Sequence, residues 1–387
     1  MRDKEYYRSR IQKYIAEKNS LNNTIRTLTW TRLLSFLGAI VVFYLLFSLN
    51  VAAATLASVL IIGVFIWSII KYNKVQRKKA FRERLAEINE NEISALEGDI
   101  KKFANGSQFM DSDHSFSYDM DIFGEGSLYQ FLNRTRSEEG KSILASFLSK
   151  NERDRSTIID RQEIIHELSE KIEFRHRFMA SFSLTDIYQP QQKSQLFGWL
   201  YNQKSFFKNK SLPLLSFILP AVFMILIVLS VLAVIPAELL FYVFLIQLGF
   251  IGSRLKEINH IHSLLSEHGM KLKEYAEILA FIEKEKFSSK IANQLKSALH
   301  HGNENSSKTL KRLGGLVETF DNRLNLVVNI LLNGLFLWDF HCIRRLEKWK
   351  TRHRDSIAHW FSSINQFDAY ISLANFNFNY DCICEHV

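Results

Sequence analysis

Few residues in this chain of 387 stand at spacings that could do chemistry. Gly140-Lys141-Ser142 carries the last three positions of a phosphate-binding loop, G-x-x-x-x-G-K-[ST]. In such a loop backbone amides surround the phosphates while Lys and Ser/Thr meet phosphate and magnesium. The first glycine of the pattern would fall at Thr135, and the residues before it read as helix or loop, so the motif fails. His260-x-His262 and His300-His301 offer metal-ligating side chains without carboxylate or Cys partners nearby, and Cys382-x-Cys384-x-His386 is a slightly better metal candidate, more simply read as a tail. Glu238 is the one charged residue between Ser211 and Ser253. Intramembrane charges are costly and often functional, but this one stands at a predicted turn in reach of water. No residue is assigned a catalytic, cofactor-binding or metal-binding role.

The elements around these residues read as helices. Glycine and proline are scarce, at 15 and 4, while Leu, Ile, Phe, Lys and Glu abound, which predicts an all-α protein. No charged residue occurs from Leu33 to Ile70. One bilayer crossing needs about 20 apolar residues, so this run is long enough for two, with Ser48-Leu49-Asn50 as the break. A buried soluble hairpin is the alternative. Ser211 to Ser253 is a second such region, broken at Ile235-Pro236-Ala237-Glu238. No cleavable signal peptide is visible, because the first apolar run follows a long charged segment.

The formal charge of +9 is concentrated beside these runs. Arg26 and Arg32 precede the first; Lys71, Lys74, Arg77, Lys78, Lys79, Arg82 and Arg84 follow it. Lys204, Lys208 and Lys210 precede the second, and Arg254 and Lys256 follow it. The positive-inside rule then predicts a multi-pass protein of the cytoplasmic (inner) membrane, with both soluble portions in the cytoplasm. The cluster Lys71, Lys74, Arg77, Lys78 and Lys79 reads as a topology signal facing anionic lipid in preference to a nucleic-acid patch. Three cysteines, Cys342, Cys382 and Cys384, make no disulfide framework, which fits a reducing compartment.

The expected organisation is an N-terminal cytoplasmic helix over 1–32, transmembrane hairpins at 33–70 and 211–253, and a basic juxtamembrane stretch over 71–112. Helical segments at 113–210 and 254–378 and a tail at 379–387 complete it. Residues 75–103 read as one amphipathic helix ended by Asn105-Gly106-Ser107, and Ser117 to Gly124 as β-prone. Leu255 to Leu299 reads as one long helix, followed by a polar turn over 301–308. Within the helical Leu310 to Asn375, the run Leu324–Trp338 is about fifteen residues long and broken by Asn325, Asn329 and Asn333, which predicts a buried core helix. Trp338, Trp349 and Trp360 recur every eleven residues and so share a stripe of a long helix.

Ser117 to Ser149, SYDMDIFGEGSLYQFLNRTRSEEGKSILASFLS, resembles the opening of the core, or lever, domain of the MutS family of DNA mismatch repair proteins. Asp121, Leu128, Asn133, Arg134, Thr135, Gly140 and Lys141 carry the likeness, and Asp160-Arg161-Gln162-Glu163 with His166-Glu167-Leu168 extends it. Tyr275 to Phe287, Leu331 to Trp349 (with Asn333, Trp338, Asp339 and Trp349) and Ser372 to Phe376 resemble the same lever in a branch with membrane helices. The resemblance implies one lever domain of long antiparallel helices interrupted by the second hairpin. It implies ATP and magnesium only for the family's separate ATPase domain. The family's phosphate loop and DNA clamp find no counterpart, and Phe123-Gly124-Glu125 matches its mismatch wedge only by accident. The expectation is therefore a non-catalytic, membrane-anchored lever module contacting lipid, a second copy of itself, and DNA or an ATPase subunit. The alternatives are a chain truncated before an ATPase domain, a scaffold unrelated to DNA repair, and a small transporter using Glu238.

Overall fold

A computed structural model describes residues 4–47, 51–184, 190–202, 206–207, 211–266, 268–301 and 304–380. The break expected at Ser48-Leu49-Asn50, the basic residues Lys204, Lys208 and Lys210, and Cys382, Cys384 and His386 lie outside the described residues. Within them the protein is all-α. The helices are α1 (Lys4–Phe47), α2 (Val51–Leu96), α3 (Leu128–Leu132), α4 (Glu138–Ser149), α5 (Arg155–Glu170), α6 (Ile172–Leu184), α7 (Pro190–Tyr201) and α8 (Ser211–Val231). There follow α9 (Glu238–Gly252), α10 (Leu255–Leu265), α11 (His268–Lys284), α12 (Lys290–Ser297), α13 (Ser306–Asp321), α14 (Leu326–Phe336) and α15 (Trp338–Tyr380). One antiparallel ribbon, β1 (His300–His301) with β2 (Glu304–Asn305), stands where the polar turn was expected.

The chain divides into two compact units, 1–184 with 368–387, and 185–367, a division that does not follow the composition breaks. Helix α15 contributes residues to both.

In the first unit α1 and α2 lie antiparallel along their length. Lys4 meets Glu97 at 3.2 Å, Arg82 meets Glu17 at 2.8 Å, and Phe36 packs on Phe65 with centroids 5.9 Å apart. Helices of 44 and 46 residues are each about 65–70 Å long, twice the roughly 30 Å of a bilayer core. The composition boundaries at 32 and 70 therefore fall inside continuous helices. Leu34, Tyr44, Leu56, Val59, Leu60 and Ile70 stay exposed along the apolar portion, while Leu85, Ile88, Ala95 and Leu96 are buried further along α2. The amphipathic stretch expected over 75–103 is thus the far end of α2. It stops at Leu96, where Gly98 adopts a positive φ of 90° and Asp99 N–H donates to Ser94 O.

In the second unit α11 and α13 cross at two glycines. A Cβ on Gly314 would lie 2.6 Å from the Gly269 carbonyl, and one on Gly269 would lie 3.1 Å from that of Gly314. Only hydrogen side chains let the backbones approach this closely. The single helix expected over Leu255–Leu299 is instead α10, α11 and α12. Ser266, with ψ 142°, ends α10, and Ser289, in extended conformation, starts α12. Helical periodicity persists across both breaks, which is why the sequence reads as continuous. The tryptophan stripe is borne out: Trp338, Trp349 and Trp360 all lie on α15, with Trp338 Nε1 donating to Thr319 O and Trp349 Nε1 to Thr309 O.

Among the described residues three helical stretches, Lys4–Leu45, Ala53–Leu96 and Leu212–Val231, are long and apolar enough to cross a membrane, or up to five if each of two bent helix pairs is one span.

The glycine crossing yields a matched test. Gly314→Ala is expected to lower stability by about 1–3 kcal/mol through overpacking. Gly315→Ala, whose Cβ meets nothing within 4 Å, is expected to be neutral or to stabilise by about 0.5–1 kcal/mol. Thermal-unfolding midpoints in detergent distinguish the two.

Candidate functional site

The residues singled out by the sequence between 133 and 141 converge with others from distant parts of the first unit. Helix α3 starts at Ser127, whose hydroxyl accepts from Gln130 N–H at 3.2 Å, and stops at Asn133. The Asn133 side chain turns the chain: Oδ1 accepts from Thr135 N–H (3.0 Å) and Thr135 Oγ1 (2.6 Å), and Nδ2 donates to Ala104 O (2.9 Å). This is an Asx turn, the local bonding that short polar side chains offer in place of helix.

Arg134 then points inward. Its Nε donates to Glu92 Oε1 at 2.7 Å in a pair exposed by only 7% and 2%, and its guanidinium lies 3.7 Å from the Phe103 ring centroid. Its backbone N–H donates to Ser372 Oγ (2.7 Å), which in turn donates to Leu132 O (2.8 Å). The other Glu92 oxygen accepts from Asn379 Nδ2 at 3.1 Å, and Asn379 Oδ1 accepts from the buried Tyr7 hydroxyl. Beside this chain of bonds, Arg175 Nη1 donates to Asn375 Oδ1 (2.8 Å) and Nη2 to Ser169 O (3.0 Å).

The loop closes on Asp368. Its carboxylate accepts from Arg136 N–H (2.9 Å to Oδ2), Ser137 N–H (2.7 Å) and Ser137 Oγ (2.8 Å), at the start of α4. Anions are favoured at a helix N-terminus, where amides lack intrahelical partners. Gly140 is explained by this approach, since a Cβ there would lie 2.4 Å from Asp368 Oδ2.

Burial sets the electrostatics. It pushes the Asp368 carboxyl from 3.8 up to about 6, against the hydrogen bonds and the Arg136 charge that favour the anion. Burial also brings Arg175 down to about 10 and holds His176 well below its ordinary value. His176 stacks on Tyr7, with ring centroids 6.4 Å apart. The arrangement holds opposite charges in place and offers no exposed nucleophile or acid–base pair.

The remaining signature residues are placed differently. Asp121, at φ 50°, lies in successive turns rather than the expected extended piece: Met120 N–H donates to Phe116 O and Ile122 N–H to Ser117 O. It lines a shallow cleft with Met110, Asp111, Ser117, Tyr118 and Phe123. Leu128 is exposed, and Lys141 pairs with Glu138 at 2.6 Å on the outer face of α4. In the second unit Asn333 Oδ1 accepts from Asp339 N–H (2.9 Å), Asp339 is paired with Arg323 (3.3 Å), and Trp338 and Trp349 fasten α15 to α13. Lys71, Lys74, Arg77 and Lys78 are exposed and Lys79 half-buried on α2, with Lys71 Nζ 4.6 Å from the Trp67 ring centroid. His262 bonds Asp321 (2.9 Å), and no group of three His, Cys, Asp or Glu able to hold a metal occurs among the described residues.

Sequence reasoning missed Glu92, Arg175, Asp368 and Asn379, and named Ser372 and Asn375 only as part of the resembling stretch Ser372 to Phe376. A signal was present: Asp368, Ser372, Asn375 and Asn379 follow one another at intervals of four, three and four, a polar stripe at helical spacing in a largely buried helix. No protein-family model, curated protein or solved structure matches the chain.

Two outcomes follow from the geometry. Arg134→Ala strands Glu92 in a dry site and is expected to cost about 3–5 kcal/mol, read by unfolding in detergent. Asp368 holds its proton in the folded chain between about pH 4 and pH 6, where the unfolded chain has released it. Its contribution to stability is therefore greatest below that window and decreases as pH rises through it. Asp368→Asn is expected to flatten this part of the profile of unfolding midpoint against pH.

Proposed function

We propose that this chain is a membrane-anchored, non-catalytic helical module of MutS-lever type that couples an ATPase domain or partner assembly to the inner membrane. The observation that carries the reading is the latch at Asn133–Ser137. The residues most similar to the family's are those that bind α4, α2 and α15 into one unit. A lever needs such a buried joint, because force passes through an element only where its ends are held.

In this reading α1 with α2, and α8 with α9, form two hairpins through the bilayer, with the lysine- and arginine-rich ends in the cytoplasm. The exposed apolar surfaces of these helices support it. So does the position of Lys71, whose stem lies along Trp67 at the end of the uncharged run, as basic side chains do at a headgroup boundary. The exposed cluster from Lys71 to Lys78 then faces anionic lipid.

The test reconstitutes the full chain into vesicles containing phosphatidylglycerol and floats them with a separately purified MutS-type ATPase domain, or with duplex DNA, at low ionic strength. The ATPase domain is expected to float with vesicles carrying the chain and not with empty ones. If neither ATPase domain nor DNA floats, the coupling role is overturned and an anchor alone is left. If alkaline carbonate strips the chain from the vesicles, the membrane reading falls as well.

A further inference from the structure

The stretch expected to be a buried core helix is nothing of the kind. Helix α14 buries only Asn333 and Gly334 and presents Leu326, Val327, Ile330 and Leu331 outward, with Leu326 70% and Val327 65% exposed. These residues recur at i, i+1, i+4 and i+5, one face of a helix. The helix packs on α9 and α8, and the same stripe ends at Gly334, one turn beyond Ile330. Gly334 sits so close to the Phe244 ring that a Cβ there would lie 2.0 Å from it.

The asparagines that make this stretch look unfit for a membrane are all used internally. Asn325 caps α14 by accepting from Val327 and Val328 N–H. Asn333 Nδ2 donates to Asn329 Oδ1, and Asn333 Oδ1 accepts from Asp339 N–H. The side-chain oxygens of Asn325, Asn329 and Asn333 are thereby all bonded within the segment.

The two ends of α14 are clasped. Arg323, just before it, pairs with Asp339, just after it, at 3.3 Å, and both side chains are buried. An 11-residue helix is about 16 Å long, half the roughly 30 Å core of a bilayer. With its flanks bonded to each other the segment cannot cross. The chain that leaves it is held at one end of α8 and α9. Pro220 leaves the Ser216 carbonyl without its helical N–H partner, and the His341 ring packs against Phe217 beside it, with centroids 4.7 Å apart. Phe340 stacks on Phe250 at 5.1 Å, and Arg344 lies 4.7 Å from the Phe217 ring centroid. This is the end of α9 that leads into Arg254 and Lys256. Phe244, where Gly334 touches α9, is six residues, or about 9 Å, further in.

We infer that α14 is a re-entrant helix that enters one leaflet beside α8 and α9 and returns, its exposed face covered by lipid acyl chains. Exposed Arg344 and Arg345 stand at the exit, where anionic headgroups meet basic side chains. The occupant is lipid because the face continues the apolar surface of α8 and α9, so the inference rests on those helices spanning the bilayer.

The test places nitroxide labels, in the full chain with its native cysteines replaced, at Val327→Cys, Leu331→Cys, Ile246→Cys and Arg352→Cys. The labelled proteins are reconstituted in phosphatidylethanolamine–phosphatidylglycerol vesicles. Collision with oxygen and with a water-soluble nickel chelate is compared. Positions 327, 331 and 246 are expected to favour oxygen, and 352 the chelate. Chelate access at 327 and 331 with 246 still protected overturns the re-entrant helix and leaves the spans standing. Chelate access at 246 as well overturns both. Protection of 327 and 331 from both reagents means that protein covers the face, which overturns the lipid assignment.

Discussion

A carboxylate buried at the start of a helix is the constraint on which the first unit depends. Asp368 has no exposed surface, and an anion in that position is tolerated only if its oxygens are fully used. The backbone N–H groups of Arg136 and Ser137, just before α4, and the Ser137 hydroxyl supply the bonds. That demand fixes other residues in turn. It needs Gly140, because any side chain there would displace the carboxylate, and it needs the loop before α4 to arrive with its N–H groups turned inward. Asn133 meets the second need by folding the loop on itself. Arg134 is thereby delivered into the interior to meet Glu92, and Asn379, itself held by the Tyr7 hydroxyl, bonds the second Glu92 oxygen.

Much of the architecture was legible in the chain because it depends on averages over many residues. Scarce glycine and proline, two long apolar runs and an eleven-residue tryptophan spacing each survive local error. What failed to be legible depended on single backbone angles. Nothing in the periodicity of Leu255–Leu299 marks Ser266 as the residue that leaves the helix. Likewise Ser117 to Gly124 has strand-prone composition but becomes a run of turns, stabilised by i→i−4 and i→i−5 bonds and one left-handed residue at Asp121. The pairing of Arg134 with Glu92 joins positions 42 apart in sequence, and that of Arg134 with Ser372 joins positions 238 apart. Pattern alone could supply the stripe of Asp368, Ser372, Asn375 and Asn379, but not what it faces.

The residues that carry the resemblance divide by physical role. Asn133, Arg134, Thr135 and Gly140 are buried and hydrogen-bonded or sterically required, and Trp338, Asp339 and Trp349 fasten helices together. Leu128 and Lys141 stand on the surface. A likeness concentrated in buried joints speaks to how a chain folds, since such residues act through what they hold in place. It speaks less to what a chain does, because activity resides in groups aimed at a ligand. Here no such groups converge in the latch.

Helix α14 shows where hydropathy misleads. An average over a window charges each asparagine the full cost of leaving water, whatever its side chain bonds to. The cost falls only on groups left without partners. Asn325 at the first turn and Asn333 at the last are partnered by backbone amides that any helix end must satisfy somehow, so the polar side chains complete the helix in place of water. The same economy holds at the ends. Arg323 and Asp339 would each be costly to bury alone, and together they close the loop on one side of the segment. A short apolar stretch bounded by asparagine caps and by opposite charges has the composition of a segment that goes in and comes back. That reading needs the partners of each polar group, which only the folded chain supplies.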